Sequence, residues 1–271
     1  MSWDTSSAYI IQGSMNYGLQ FDGIKPEDFV LGARNELGGK ILAPDGQWDS
    51  FTPDGEVQNK NGVEPLACVS FTTLNCVEIL ERKEYGASSN WSDRFLASIS
   101  GTKEKKGNSP QTVAETLRKR GCVPENDYPF DVNTYEDFYK TVPQRLYTLA
   151  LAFQAEYVLG HEYVPSNYDS LMEALKYSPL GFSVYAWVKD SDGLYYRPQG
   201  MSDGHFTVCY GYERNKYWKI FDSYADDGTV FKKVKWNSLP MQAKRYTLHR
   251  QVVIKSWFDK FIAQLRAILG L

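Results

Sequence analysis

Four cysteines, at 68, 76, 122 and 209, and three histidines, at 161, 205 and 249, are the side chains of this 271-residue chain best suited to nucleophilic or metal chemistry. No CxxC pair occurs, and no further Cys or His lies close to His205 and Cys209 in sequence. Zinc is therefore not expected, and no cofactor is predicted. A reactive cysteine needs its thiolate form, which a helix N-terminus and a nearby imidazolium both favour. Cys68 has the first of these. Pro65 precedes it, and CVSFTTLNCVEILERK places Phe71, Leu74, Val77 and Leu80 at helical spacing. Cys76, Cys122 and Cys209 fall in apolar surroundings and read as small buried hydrophobes. Taken alone, Cys68 would be read the same way.

The case for chemistry comes from His205. It follows MSDG and opens the strand-like FTVCYGY. The polar turn at 214–216 then sends the chain back through YWKIF to Asp222. A hairpin here brings His205 and Asp222 to one open end, where a carboxylate can hold one ring nitrogen and fix the tautomer. His161, in LGHEYVP, has no fixed place in the pattern, and His249, in TLHRQVV, lies near the C-terminal helix, far from any turn signal. The predicted roles are Cys68 as nucleophile, His205 as base and Asp222 as orienting group.

The elements that must position them divide by type. The first 62 or so residues read as irregular chain with short strands, punctuated by Gly and Pro. Helices are predicted at SDRFLASIS, capped by Ser92 or Ser89, and at SPQTVAETLRKRG, with Ser109 as cap, Pro110 first and Gly121 last. CVPENDYPF is extended, and NYDSLMEALKYS is a further helix with Asn167 or Asp169 near its cap. LGFSVYAWV, HFTVCYGYE, YWKIFDSY and TVFKKVKW are strands. Helices first and antiparallel strands second predict an α+β fold whose two unlike lobes meet at a cleft. The division is an N-terminal extension at 1–44, a catalytic domain at 45–240 (helical lobe about 65–135, β lobe about 155–240), and a C-terminal strand and helix at 241–271.

The C-terminal QVVIKSWFDKFIAQLRAILGL carries an apolar stripe of Ile254, Trp257, Phe258, Phe261, Ile262, Leu265 and Leu269. Packing on the protein's own body is the first reading, and contact with a partner or self-association the second. Its polar face is not basic enough to favour a membrane surface. A net charge of −3 gives no electrostatic case for nucleic acid. The basic clusters Lys103–Lys106, Arg118–Arg120 and Lys232–Lys235 read as solvated faces. No stretch reaches the roughly 18 apolar residues of a membrane span. MSWDTSSAYI lacks a basic start and an apolar run, so no secretory signal is read. Free thiols in the cytoplasm or another reducing compartment are expected.

Several segments, taken in order, resemble the papain-like cysteine peptidases. They are CVSFT at 68–72, SDRFL at 92–96, GNSPQTVAETL at 107–117, YPF at 128–130, SPLGFSVYAW, DGHFTVCYGY, and DSYAD at 222–226, spanning roughly 45 to 236. The resemblance implies a two-lobe papain-like fold, a peptide or protein substrate, and the Cys68, His205 and Asp222 roles given above. It also implies an oxyanion-holding amide a few residues before the cysteine, alongside the Cys68 N–H. Asn61 is the first choice, because Gly62 keeps the Gly that follows that amide in the family; Gln58 is the second. Gly107 and Asn108 stand where the family pairs with substrate backbone, and together with Tyr224 they are the groove candidates.

The departures are Asp222 for the usual Asn, Tyr224 for the Trp that shields that contact, and Asn108 for a second Gly. The family's disulfides have no matching cysteines. Its inhibitory pro-segment is not evident in the irregular extension, so no zymogen is expected. The layout is closer to cytosolic, microbial or viral members, a virion setting included. The expected function is a cysteine-type peptidase. The alternatives are a silent papain-like fold used as a peptide-binding or structural module, and another Cys–His–Asp hydrolase or acyltransferase, such as a cell-wall amidase or a transglutaminase-like enzyme. The long interval from Cys68 to His205 argues against the last group, whose members generally place the His much nearer the Cys.

Overall fold

Helix α1, Cys68–Tyr85, runs through the interior, and most of its residues are buried, from Cys68 to Glu81. The computed structural model describes residues 10–11, 14–15, 17–225, 227–251 and 262–268. Ala67 is the N-cap of α1 and gives no side-chain hydrogen bond, so the first-turn N–H groups are not consumed by a cap. Gly86 closes the helix in the left-handed conformation at φ 64°. Helices α2 (Asp93–Ser100) and α3 (Pro110–Arg120) start as their sequences predict. Ser92 accepts from Phe95 N, and Ser109 accepts from Thr112 N. Two further helices, α4 (Tyr135–Tyr139) and α5 (Gln144–Glu156), fill a stretch the sequence left unassigned. In α6 (Tyr168–Leu175), Asn167 caps Ser170 N at 2.9 Å.

A two-residue pair, β1 (Ile10–Ile11) with β2 (Ser14–Met15), precedes the main sheet. That sheet contains β3 (Tyr157–Val164), β4 (Leu180–Val184), β5 (His205–Glu213), β6 (Tyr217–Phe221), β7 (Phe231–Lys235) and β8 (Ala243–Arg250). Its order is β3-β8-β4-β5-β6-β7, with every pairing antiparallel. The predicted α+β architecture is present. Strand β8 lies inside the sheet, between β3 and β4, so the sheet continues past residue 240. Thr72 Oγ1 donates to Phe206 O at 2.8 Å, fixing the first turn of α1 against the start of β5. Residues 262–268 are helical. Ile262 and Leu265 of the C-terminal stripe are half-buried; Ile254, Trp257, Phe258, Phe261 and Leu269 lie outside the described residues.

The buried face of α1 also carries acids. Glu78 accepts from Trp91 N at 2.8 Å, and Glu81 accepts from Trp91 Nε1 at 3.1 and 3.2 Å. Burial raises both carboxyls, and it pushes Glu81 up to about 7. A carboxyl raised in the fold favours folding below its unfolded pKa of about 4.5, and that contribution is lost as pH climbs to about 7. Glu81→Gln keeps an acceptor for Trp91 and cannot ionise. Its melting temperature relative to the parent is expected to rise between pH 5 and pH 8; a pH-independent difference would refute this.

Candidate active site

The hairpin of β5 and β6 pairs Val208 with Phe221 and Cys209 with Ile220, and a bulge follows between Cys209 and Gly211. Asp222, one residue beyond β6, thereby falls opposite Thr207, two residues from His205 and on the same face, within side-chain reach of the ring. His205 Nε2 lies 2.6 Å from Asp222 Oδ1, and both side chains are fully buried. This contact sets the tautomer, with Nε2–H donating to the carboxylate. Nδ1 has no hydrogen-bond partner and is left for Cys68, which acts on the ring. Burial opposes the imidazolium, but the charge and hydrogen bond of Asp222, then Cys68, outweigh it and raise His205 to about 10. Cys68, on α1, is itself fully buried.

The other thiols differ. Burial raises Cys76, Cys122 and Cys209, and none has an imidazole beside it to oppose that rise. His161 is also no base. It sits 2.9 Å from Glu115 and 3.2 Å from Lys244, and burial followed by the Lys244 charge pushes it down to about 4.

Aromatic rings exclude water from the His205–Asp222 contact. Tyr224 meets the imidazole edge-on at 5.1 Å, Trp187 does so at 5.7 Å, and Tyr17 is tilted at 5.6 Å. Tyr224, named as a groove residue from the sequence, is only 3% exposed and serves instead as a buried shield. Lys232 is a residue the sequence reading missed. Its Nζ stands 3.1 Å from Asp222 Oδ2, with both side chains fully buried, whereas the Lys232–Lys235 run was expected on a solvated face. The alternating burial of FKKVK is the signal that marks it, since Lys232 and Val234 share the inward face.

The two oxyanion candidates separate. Asn61 is exposed and turned away, its amide directed at Asp131 Oδ1 at 3.4 Å and Val132 O at 3.3 Å. The first choice from the sequence is therefore displaced, because the loop holds Asn61 at φ 53° with its amide committed to Asp131 and Val132. Gln58 is fully buried and reaches the Tyr224 hydroxyl beside His205. Its Nε2 also donates to Glu64 Oε1 at 2.9 Å, and its Oε1 accepts from Ser223 Oγ at 3.1 Å.

Gly107 and Asn108, the groove candidates, pack against residues 18 and 20. The Asn108 side chain turns inward, donating to Ser100 O at 3.1 Å and Thr102 Oγ1 at 3.2 Å, so its amide is spent within the chain. Its backbone is already paired. Asn108 N donates to Gly18 O at 2.9 Å, and Gln20 N donates to Asn108 O at 2.8 Å. On the histidine wall, Tyr17 N donates to Gly204 O at 2.9 Å and Leu19 N does so at 3.3 Å. A Cβ on Gly18 would fall 2.3 Å from Leu66 O, two residues before the cysteine. Residues 17–20 therefore cross the cleft from wall to wall. No local pattern marks this path, since the extension is irregular and lacks periodicity.

Among the described residues, no group of His, Cys, Asp and Glu side chains could hold a metal. Within the same residues, no helix is long and apolar enough to cross a membrane. No protein-family model matches the chain, and no curated protein sequence matches it. Solved structures do. Digestive procathepsin L 3 of Tenebrio molitor larval midgut is 17% identical with a TM-score of 0.56, covering 77% of this chain and 71% of that one. Bromelain protease from Ananas comosus, solved with the E64 inhibitor, is 19% identical at 0.54, covering 75% and 98%. The cysteine protease and lectin-like domains of Cwp84 from Clostridium difficile are 15% identical at 0.61, covering 83% and 56%. At these identities the likeness shows the fold.

Proposed function

We propose, from the papain-like cysteine peptidase fold that this chain adopts, that it is a cysteine-type peptidase using Cys68, His205 and Asp222. The observation that carries this reading is the buried His205–Asp222 contact of 2.6 Å, which leaves Nδ1 to the thiol at the start of α1. The Cys68 thiolate attacks a peptide carbonyl carbon, forming a C–S bond and a tetrahedral oxyanion. The Cys68 N–H is one donor to that oxygen. Gln58 is the second candidate, on condition that it exchanges its Tyr224 contact for the oxyanion. Collapse breaks the C–N bond, and the departing amine takes the proton from His205 Nδ1. Water then gives its proton to His205 and attacks the thioester, releasing the acid and restoring the thiol. Asp222 keeps the ring in the required tautomer throughout.

A second reading, a silent peptide-binding module, draws support from the occupied cleft and from the commitment of Gln58. One experiment separates the two. A peptidyl epoxide is applied to the intact protein and the adduct is mapped by mass spectrometry. Labelling confined to Cys68 is expected. No adduct once residues 17–20 are displaced, with the same thiol still open to iodoacetamide, would rule out the peptidase.

A further inference from the structure

Asp222 buries a full negative charge where the papain-like pattern has an amide, and a buried carboxylate is costly unless it is paired. His205 is one partner, and Lys232 supplies the other charge. Its side chain leaves β7 on the inward face and is fully buried, with Nζ 3.1 Å from Asp222 Oδ2. It donates to Tyr224 O, and to Thr229 O at 3.2 Å, and lies 5.2 Å from the Trp187 ring centroid. Two of its three N–H groups go to those carbonyls, and its contact with Asp222 is an ion pair in which Oδ2 takes no directed hydrogen bond.

Asp227 is a second carboxylate within reach, at 3.7 Å. It is already held by Lys189 Nζ at 2.7 Å and by the Tyr195 hydroxyl at 2.7 Å. Both of those contacts are to Oδ2, so Lys232 also acts on Asp227 through Oδ1, and its nearer carboxylate is Asp222 at 3.1 Å. The groups that face His205 are Asp222, Cys68, Tyr17, Tyr224 and Trp187, with Glu64 acting at longer range.

We infer that Lys232 is a positioning residue of the catalytic apparatus, its ammonium balancing Asp222 so that the carboxylate orients His205 much as a neutral amide would. The inference rests on the peptidase reading. During turnover the proton must leave His205 for the departing amine. An unbalanced Asp222 would hold that proton more tightly, and the thiolate would lose a favourable positive charge. Both effects displace the working range to higher pH.

The test is the rate of Cys68 alkylation by iodoacetamide across pH, read by mass spectrometry on the full chain. Lys232→Gln keeps a donor for the two carbonyls and removes the charge. Both inflections of its profile are expected about one pH unit more alkaline. Asp222→Asn, which leaves Lys232 unbalanced, is expected to move them to lower pH. The double variant should return them close to the parent. If Lys232→Gln does not fold, the double variant, which buries no unpaired charge, should fold and melt above Asp222→Asn. Slower alkylation with unmoved inflections, or a double variant no better than Asp222→Asn, would overturn the role of Lys232. Epoxide labelling with unmoved inflections removes Lys232 and leaves the peptidase. Inflections that move as stated, without epoxide labelling, remove the peptidase and leave the charge pairing.

Discussion

Replacement of His205 by Ala is expected to lower peptide hydrolysis by about a thousandfold while the protein stays folded. General acid–base catalysis by a placed side chain is worth roughly 10²–10⁴ in rate, and here one imidazole serves both proton transfers. The loss should appear in kcat with a fluorogenic peptide, because the ring acts on the reacting atoms and not on the walls that bind the chain. Cys68 should at the same time lose its reactivity at neutral pH. Folding is expected to survive, because Asp222 keeps Lys232 at 3.1 Å when the imidazole is removed and is not left as an unpaired buried charge. Unchanged hydrolysis in a folded His205→Ala protein would contradict the assigned role.

What the sequence made legible was local and periodic. Ser92, Ser109 and Asn167 cap helices in the structure because a short oxygen-bearing side chain before an apolar run has few other uses. The His205–Asp222 pairing followed from a turn at 214–216 and from counting along two strands. What stayed hidden depended on contacts between distant segments. Helix α5 and strand β3 run on without a break from Gln144 to Val164, so no turn residue marks their junction. Lys232 read as surface because lysine is almost never fully buried without a partner, and its partner comes from a different strand. Asn61 was preferred over Gln58 for a following glycine. Spacing cannot report that its side chain leaves toward Asp131. The path of residues 17–20 lacked any sequence signal, because main-chain hydrogen bonds hold it and every residue type but proline can donate those.

That path leads to the second large effect. Gly18→Val is expected to raise both epoxide labelling of Cys68 and peptide hydrolysis by about tenfold or more. Gly18 sits at φ 108°, a conformation that valine does not tolerate, and its Cβ would meet Leu66 O at 2.3 Å and Leu66 C at 2.7 Å. Backbone strain of this kind costs about 1–3 kcal/mol, and the clash adds to it. The segment is held by four main-chain hydrogen bonds, to Gly204 and Asn108, worth about 1 kcal/mol each when net exchange with water is counted. The strain is thus comparable with a large part of what retains the segment, and each 1.4 kcal/mol of it is about a factor of ten in cleft opening. Gly107→Val would also expel the segment, since its Cβ would fall 1.8 Å from Gly18 O, but Gly107 forms the groove wall itself and the result would be ambiguous. Gly23→Val is the control. No atom lies within 4 Å of its Cβ, so it should leave both rates unchanged. Equal rates in the parent and Gly18→Val would mean that residues 17–20 do not restrict access to Cys68. A rise confined to Gly18→Val would identify them as what an incoming peptide must displace.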